Sequence, residues 1–276
     1  MKQYGKKQPV IFIGHGSPMN ALADNAFTQT LVGLGQSIER PKAVLVISAH
    51  WLTAGTWVTS SSQPRTIHDF YGFPEELFNV QYPAPGAPTV AEEVRDLLGT
   101  KDRPRRTVHF DQGAWGLDHG TWSVLRHVFP DAGIPVLQLS IDMSEPPEFH
   151  LDLGRKLGKL REQGILIVGS GNIVHNLRQV KWSPGAAAYD WAIEFDEKVK
   201  SALEKGDSGA LCGPLLQSAA GMMSVPTPDH YYPLLYVVGA SEQDAKSGVK
   251  QEAPTFVYEG LELGAISMRT LVYGVT

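Results

Sequence analysis

Residues 10–18 read V-I-F-I-G-H-G-S-P, and residues 43–51 read A-V-L-V-I-S-A-H-W. Val10–Ile13 and Ala43–Ser48 are short, β-branched and bounded by Gly or Pro, the pattern of buried strands. Between them Phe27, Leu31, Leu34 and Ile38 recur at i, i+4, i+7 and i+11, one face of a helix that ends before Pro41. Strand, helix and strand within about 35 residues make a β-α-β unit, the crossover that parallel strands require.

The same alternation continues outward. Trp57–Ser60 reads as a further strand and Thr89–Leu98 as a short helix. Val136–Leu139 and Ile165–Gly169 are the next buried strands, separated by a helix from about Pro147 to Gln163. Tyr189–Leu203 is the clearest long helix, with Trp191, Phe195 and Val199 four apart, and Asp229–Val238 begins another. Thr255–Tyr258 and Ala265–Val272 read as closing strands. Alternating strands and helices predict an α/β fold with a mostly parallel sheet, formed by residues 1–276 as a single domain. Two segments, Ser61–Pro88 and Arg103–Gly120, read as long irregular loops, which in a compact domain are usually functional.

Composition excludes several classes. A chain of 276 residues buries about three quarters of its unfolded surface, so no disulfide or metal is needed merely to fold. The longest apolar runs, such as Ala43–Ile47 and Ile165–Val168, are far short of the ~20 residues of a membrane span, and Met1–Pro9 does not read as a signal peptide. The net charge of −5 implies no basic face, so neither nucleic acid nor membrane is an expected partner. Cys212, alone in a run of small residues, reads as buried filler; one thiol suits a reducing, cytoplasmic setting. No helix carries an exposed apolar seam, so the oligomeric state stays open. The 28 glycines and 19 prolines exceed the ~12% of average usage and predict many shaped loops.

The histidines fall where chemistry is expected. His15 follows the first strand directly, His50 ends the second, and His175 lies just beyond Ile165–Gly169 in G-S-G-N-I-V-H-N. Side chains past the carboxyl ends of parallel strands converge on the crevice where α/β folds bind ligands. His230 lies in P-T-P-D-H-Y-Y, where Pro226 and Pro228 stiffen the approach. Imidazole is the commonest metal ligand, and three converging imidazoles suit Zn or Fe with open coordination positions. Neither H-E-x-x-H nor C-x-x-C is present, so the residues alone leave a His-rich metal site and a set of structural histidines both open.

Six blocks in order, I-G-H-G-S-P, S-A-H-W, H-D-F-Y-G-F-P-E-E-L-F…Y-P-A-P-G (His68–Gly86), G-L-D-H-G-T-W (Gly116–Trp122), G-S-G-N-I-V-H-N-L and P-T-P-D-H-Y-Y-P-L-L-Y, carry a resemblance over essentially the whole chain. Together they resemble the 4,5-DOPA extradiol dioxygenase group of the class III, LigB-like ring-cleaving dioxygenases. The resemblance implies an α/β sandwich around a central mixed sheet. It implies that His15, His50 and His230 hold one metal, Fe(II) as the working ion with Zn(II) able to occupy the same nitrogens. His175 is placed beside the open positions as acid/base, close enough to count as a fourth ligand, and His119 in G-L-D-H-G is the second catalytic candidate. Many class III enzymes use two histidines and a glutamate; a third histidine here leaves the site less negative. The implied reaction inserts O2 into a para-substituted catechol.

Ser17, Trp51, His68, Phe70, Tyr71 and Tyr231 are the expected substrate contacts. The loop that carries His68, Phe70 and Tyr71 either walls a flat aromatic substrate or packs down on its own Phe and Pro side chains. His119 has an alternative as a helix N-terminal residue satisfying a loop carbonyl. His127 and His150 read as surface or packing residues, and His109 as a strand residue. Two other functions use the same residues: a zinc hydrolase, with a metal-bound water of pKa about 7, and a non-enzymatic scaffold similar to the Memo family. Protons compete for the same nitrogens, so metal affinity is expected to fall on acidification through about pH 6.

Overall fold

The computed structural model describes residues 7–99, 107–183, 185–242 and 252–274. Its ten strands are β1 (Val10–Gly14), β2 (Ala43–Thr53), β3 (Thr56–Thr59), β4 (Val108–Asp111), β5 (Val136–Asp142), β6 (Ile165–Gly171), β7 (Thr255–Tyr258), β8 (Leu261–Glu262), β9 (Ile266–Ser267) and β10 (Thr270–Tyr273). The helices are α1 (Ala26–Ser37), α2 (Glu75–Phe78), α3 (Pro88–Leu98), α4 (His119–Val128), α5 (Pro147–Leu157), α6 (Asp190–Lys205), α7 (Ser208–Cys212), α8 (Pro214–Gln217), α9 (Ala219–Ser224) and α10 (Tyr232–Ser241). None of them is long and apolar enough to cross a membrane.

Eight strands form one mixed sheet in the order β4-β3-β5-β2-β6-β1-β10-β7. The central four, β5-β2-β6-β1, are mutually parallel. Antiparallel pairings flank them, β3 on β5 and β10 on β1. The strands read as continuous apolar runs because both faces are covered. Alternate residues feed opposite layers. Val10, Phe12, Leu45, Ile47 and Ile167 pack with residues of α3, α5, α6 and α10. Ile11, Ile13, Val44, Val46, Leu166 and Val168 pack with those of α1 and α4.

The expected β-α-β unit is present, but its strands are not neighbours: β6 lies between β1 and β2 and pairs in parallel with each. The 147–163 helix is α5 followed by a 3-10 turn over Gly158–Gln163, which ends at Gly164 in the left-handed region (φ 87°). The helix expected from Asp229 starts at Tyr232, because Pro228 O first accepts from the amides of Tyr231 and Tyr232 in a turn. Ala265–Val272 is not one strand. Ile266–Ser267 pairs with β8 in a separate ribbon, and Thr270–Tyr273 forms β10. The Ser61–Pro88 loop contains only the single turn of α2, whereas Arg103–Gly120 holds β4 and the start of α4. Residues 103–106 of that segment lie outside the described residues.

The register of the three central strands positions the site. Ile13 pairs with Ser170 and Ser170 with Ser48, so the three strands reach one level together. His15 and His50 then each stand two residues past it. β2 does not stop there: against β5 its pairing jumps from Ile47↔Leu139 to Leu52↔Ile141. The extra residues bulge, and His50 sits in the bulge.

Candidate metal centre

Gly169-Ser170-Gly171 shows how a strand builds a site from its alternation. A Cβ at Gly171 would lie 2.1 Å from the carbonyl oxygen of His230, and one at Gly169 2.5 Å from that of Pro233. Only glycine lets the His230 turn and the start of α10 lie flat on β6. Ser170 points to the other face, where its hydroxyl donates to Gly120 O (2.6 Å) and contacts His15 Nδ1 (2.9 Å). Having spent its one hydrogen on Gly120, the hydroxyl accepts from Nδ1–H of His15. The Nε2 of His15 therefore carries a lone pair.

His230 is held in the same way. Its Nδ1–H donates to the Asp229 carboxylate next in sequence, so its Nε2 is the free acceptor as well. His50 Nδ1 approaches Asp69 Oδ2 at 3.5 Å, and its Nε2 lies 3.2 Å from that of His15. Two imidazole nitrogens bonded to one ion at the ~2.0–2.1 Å of a Zn–N bond would stand roughly 3.3 Å apart at tetrahedral angles. One ligand atom each from His15, His50 and His230 lie within 4.8 Å of one another. The donor set fits a divalent transition metal held by three neutral imidazoles.

The other expected residues fall around this cluster. His175 belongs to a separate grouping with Asp229 and His230, its ring stacked on that of His230 (centroids 3.5 Å, 7° between planes). His119 is the first residue of α4, capped by Asp118, with its ring centroid 3.8 Å from that of His50. It satisfies no loop carbonyl; its backbone N–H and Nδ1 both bind the Asp69 carboxylate. Phe70 stands edge-on to His119 (5.6 Å). His68 turns away, its Nε2 on Val80 O (2.9 Å), with its ring against Phe70, Phe78 and Trp122. The loop thus packs on itself and still delivers Asp69 and Phe70 to the histidines.

Three expected substrate contacts have other partners in the structure. Tyr231 is fully buried in the core and donates its hydroxyl to Leu211 O (3.1 Å). Ser17 caps the 3-10 turn Pro18–Ala21. Trp51 is buried and lies parallel to Trp115. Tyr71 is 92% exposed, so it is available to a ligand but packed on nothing. His127 contacts Asn20 O, His150 is buried on Tyr232 and Tyr236, and His109 is an exposed residue of β4 beside Trp57. Cys212 is free and buried, as its surroundings predict.

Sequence reading passed over Asp69, Ser170 and Asp118. Asp118 is fully buried and gathers four donors, from Ser48 Oγ, Thr121 N, Gln138 Nε2 and Trp115 Nε1. It ties the β2 bulge to the start of α4. Burial, aided by the nearby Asp69 carboxylate, pushes its carboxyl above the usual range. Only the N-cap position of Asp118, one residue before His119, carried a local signal.

Electrostatics favour neutral imidazoles. Burial, then the neighbouring His50, His230, His119 and His175, hold His15 well below the usual histidine range. Burial and the other three imidazoles do the same for His230. Burial and His119 lower His50 to about 3 against the pull of Asp69, and burial lowers His175 to about 4. Protons thus compete for His50 well below pH 6, which moves the expected acid loss of metal affinity downward. Because these folded-state pKa values are depressed, the unfolded chain binds more protons below about pH 6.5. Stability of the metal-free protein should be full above pH 6.5 and fall progressively toward pH 4, read as urea midpoints across that range. The slope should flatten in His50→Phe; a flat wild-type profile would contradict the burial.

Comparison with known proteins agrees with this geometry. The family model for the catalytic LigB subunit of aromatic ring-opening dioxygenase matches residues 10–268. The 4,5-DOPA dioxygenase extradiol of Escherichia coli K12 is 46% identical over 276 residues, spanning 97% of this chain and 95% of that protein. The protein of the same name from Beta vulgaris is 35% identical over 240 residues, 86% of this chain and 88% of that one. A crystal structure of an uncharacterized E. coli K12 protein matches with TM-score 0.81 at 43% identity, covering 97% of this chain and 100% of that chain. With three histidines clustered at the ends of β1 and β2 and before α10, and a match along nearly its whole length, the chain belongs to the LigB family of aromatic ring-opening dioxygenases.

Proposed function

We propose that the protein is an extradiol dioxygenase that opens a para-substituted, DOPA-like catechol at a single non-haem Fe(II) held by His15, His50 and His230. The observation that supports this most is the pair of Nε2 atoms of His15 and His50 3.2 Å apart, with His15 Nδ1 tied back to Ser170. Fe(II), when bound, supplies the one-electron chemistry that lets triplet dioxygen react with a singlet catechol. Zn(II) fits the same nitrogens and is redox-silent. Held by three protein ligands, the ion would keep open positions, as catalytic sites do.

The chain's own residues bind and orient. Phe70, beside His119, and the exposed Tyr71 offer aromatic faces to a flat ring. His175, next to the three ligands, is the acid/base that takes a catechol proton and later returns one. His119 hydrogen-bonds the substrate hydroxyl. His15 and His230 are buried and His50 and His175 half-buried, and all four are held below the usual histidine range, so the cluster carries no positive charge of its own near neutral pH. With no basic face and one buried thiol, a small aromatic substrate in the cytoplasm is the setting proposed.

Anaerobic reconstitution with Fe(II), followed by a catechol panel with O2 uptake and visible absorbance, tests the reaction. One O2 should be consumed per catechol, a yellow product should appear, and nothing should occur under argon. Turnover under argon would mean hydrolysis, and absence of Fe, Zn and Mn from carefully purified protein would mean a scaffold.

Single alanine variants of His15, His50 and His230 should each lose metal affinity by more than about 100-fold, beyond the 10–100-fold typical of outer-shell changes. Double variants should be non-additive, since the second removal acts on a site already broken. Folding should survive in all of them. His175→Ala should keep its metal and lose ring cleavage, and His127→Ala should change neither. Full occupancy at limiting Fe(II) in any of the three ligand variants, or turnover in metal-loaded His175→Ala, would sink these assignments.

A further inference from the structure

Asp69 comes from the aromatic loop, far in sequence from α4, yet both of its carboxylate oxygens are committed to one residue there. Oδ1 accepts the backbone N–H of His119 (2.8 Å), and Oδ2 meets His119 Nδ1 (2.9 Å). A carboxylate is an acceptor only, so Nδ1 must carry the hydrogen. The ring is left with Nε2 as an unprotonated acceptor, beside the rings of His15 and His50. Asp69 is 14% exposed, so little water competes for these contacts. The same Oδ2 lies 3.5 Å from His50 Nδ1, so one oxygen faces the Nδ1 edges of two imidazoles.

We propose that Asp69 is a positioning residue: it locks His119 in the Nδ1–H tautomer, so that Nε2 accepts a hydrogen bond from a substrate hydroxyl and orients the ring for cleavage. The role at the hydroxyl rests on the catechol reading above; the tautomer lock does not. Two bonds to one residue fix both where the imidazole stands and which nitrogen carries hydrogen. A residue that merely closed the loop would need only the first.

Asp69→Asn separates the two. The backbone N–H of His119 can only donate, so it keeps the amide oxygen, and the amide NH2 then faces Nδ1. That nitrogen must become the acceptor and the hydrogen moves to Nε2, which turns an acceptor toward substrate into a donor without changing shape. Asp69→Ala leaves room for water, and His119 can take either tautomer. The catalytic order is therefore the reverse of the packing order.

The test uses Zn(II)-loaded protein labelled with 15N-histidine, with two-bond 1H–15N spectra and His119 signals assigned by their loss in H119Q. Wild type should show His119 as Nδ1–H and D69N as Nε2–H. In Fe(II)-loaded protein compared at equal iron occupancy, D69N should lower kcat by about 10²- to 10⁴-fold. D69A should lower it less, although D69A should be the less heat-stable of the two. A wild-type His119 in the Nε2–H form overturns the proposal, even if D69N fails to fold. So does D69N with kcat within threefold of wild type, or D69A slower than D69N. If wild type opens no catechol, the ring-cleavage reading fails, and the wild-type spectrum alone still decides the tautomer lock.

Discussion

The Nε2 atoms of His15 and His50 stand 3.2 Å apart, close enough to share one hydrogen or to bind one cation between them. Everything around the site serves to hold that arrangement. Ser170 and Asp229 take the Nδ1 hydrogens of His15 and His230. Asp69 stands at the Nδ1 edge of His50. With their Nδ1 atoms tied, the rings of His15 and His230 each present an Nε2 lone pair, and His50 brings its Nε2 to the same point. Burial keeps them neutral, since charging any one would place a cation among three other imidazoles in a poorly solvated site.

The sheet makes this affordable to the chain. Three parallel strands reaching one level bring His15 and His50 together from either side of β6, and β6 contributes the serine that anchors one of them. The glycines flanking that serine let His230 close from the opposite face. The β2 bulge and the Asp118 hub then join His50 to α4, the helix that carries His119. The clustered histidines of β1, β2 and α4 thus share one scaffold, the condition under which a site holds its geometry without substrate.

Much of this was legible along the chain. The central strands, α1, α3 and α6 follow from hydrophobic period and punctuation, and placing His15 and His50 past strand ends needs only that reading. Strand order was not legible, because nothing in β1 or β2 says that a later strand will lie between them. β4 and α7–α9 are too short for periodicity to mark them. Asp69 was hidden for a different reason. Its sequence neighbours made His68 and Phe70 conspicuous, while its own role depends on a contact 50 residues away in sequence. Tyr231 shows the converse: it adjoins His230, yet the turn ahead of α10 directs it into the core.

The central claim is that His15, His50 and His230 together present three Nε2 lone pairs to one ion. Anomalous diffraction at the iron edge, from crystals loaded with Fe(II) under argon, tests it most directly. A single peak should lie within bonding distance of all three Nε2 atoms, with His15 Nδ1 still on Ser170 and His230 Nδ1 still on Asp229. A peak held instead by His175 and Asp229, or rings turned so that Nδ1 binds the ion, would contradict it.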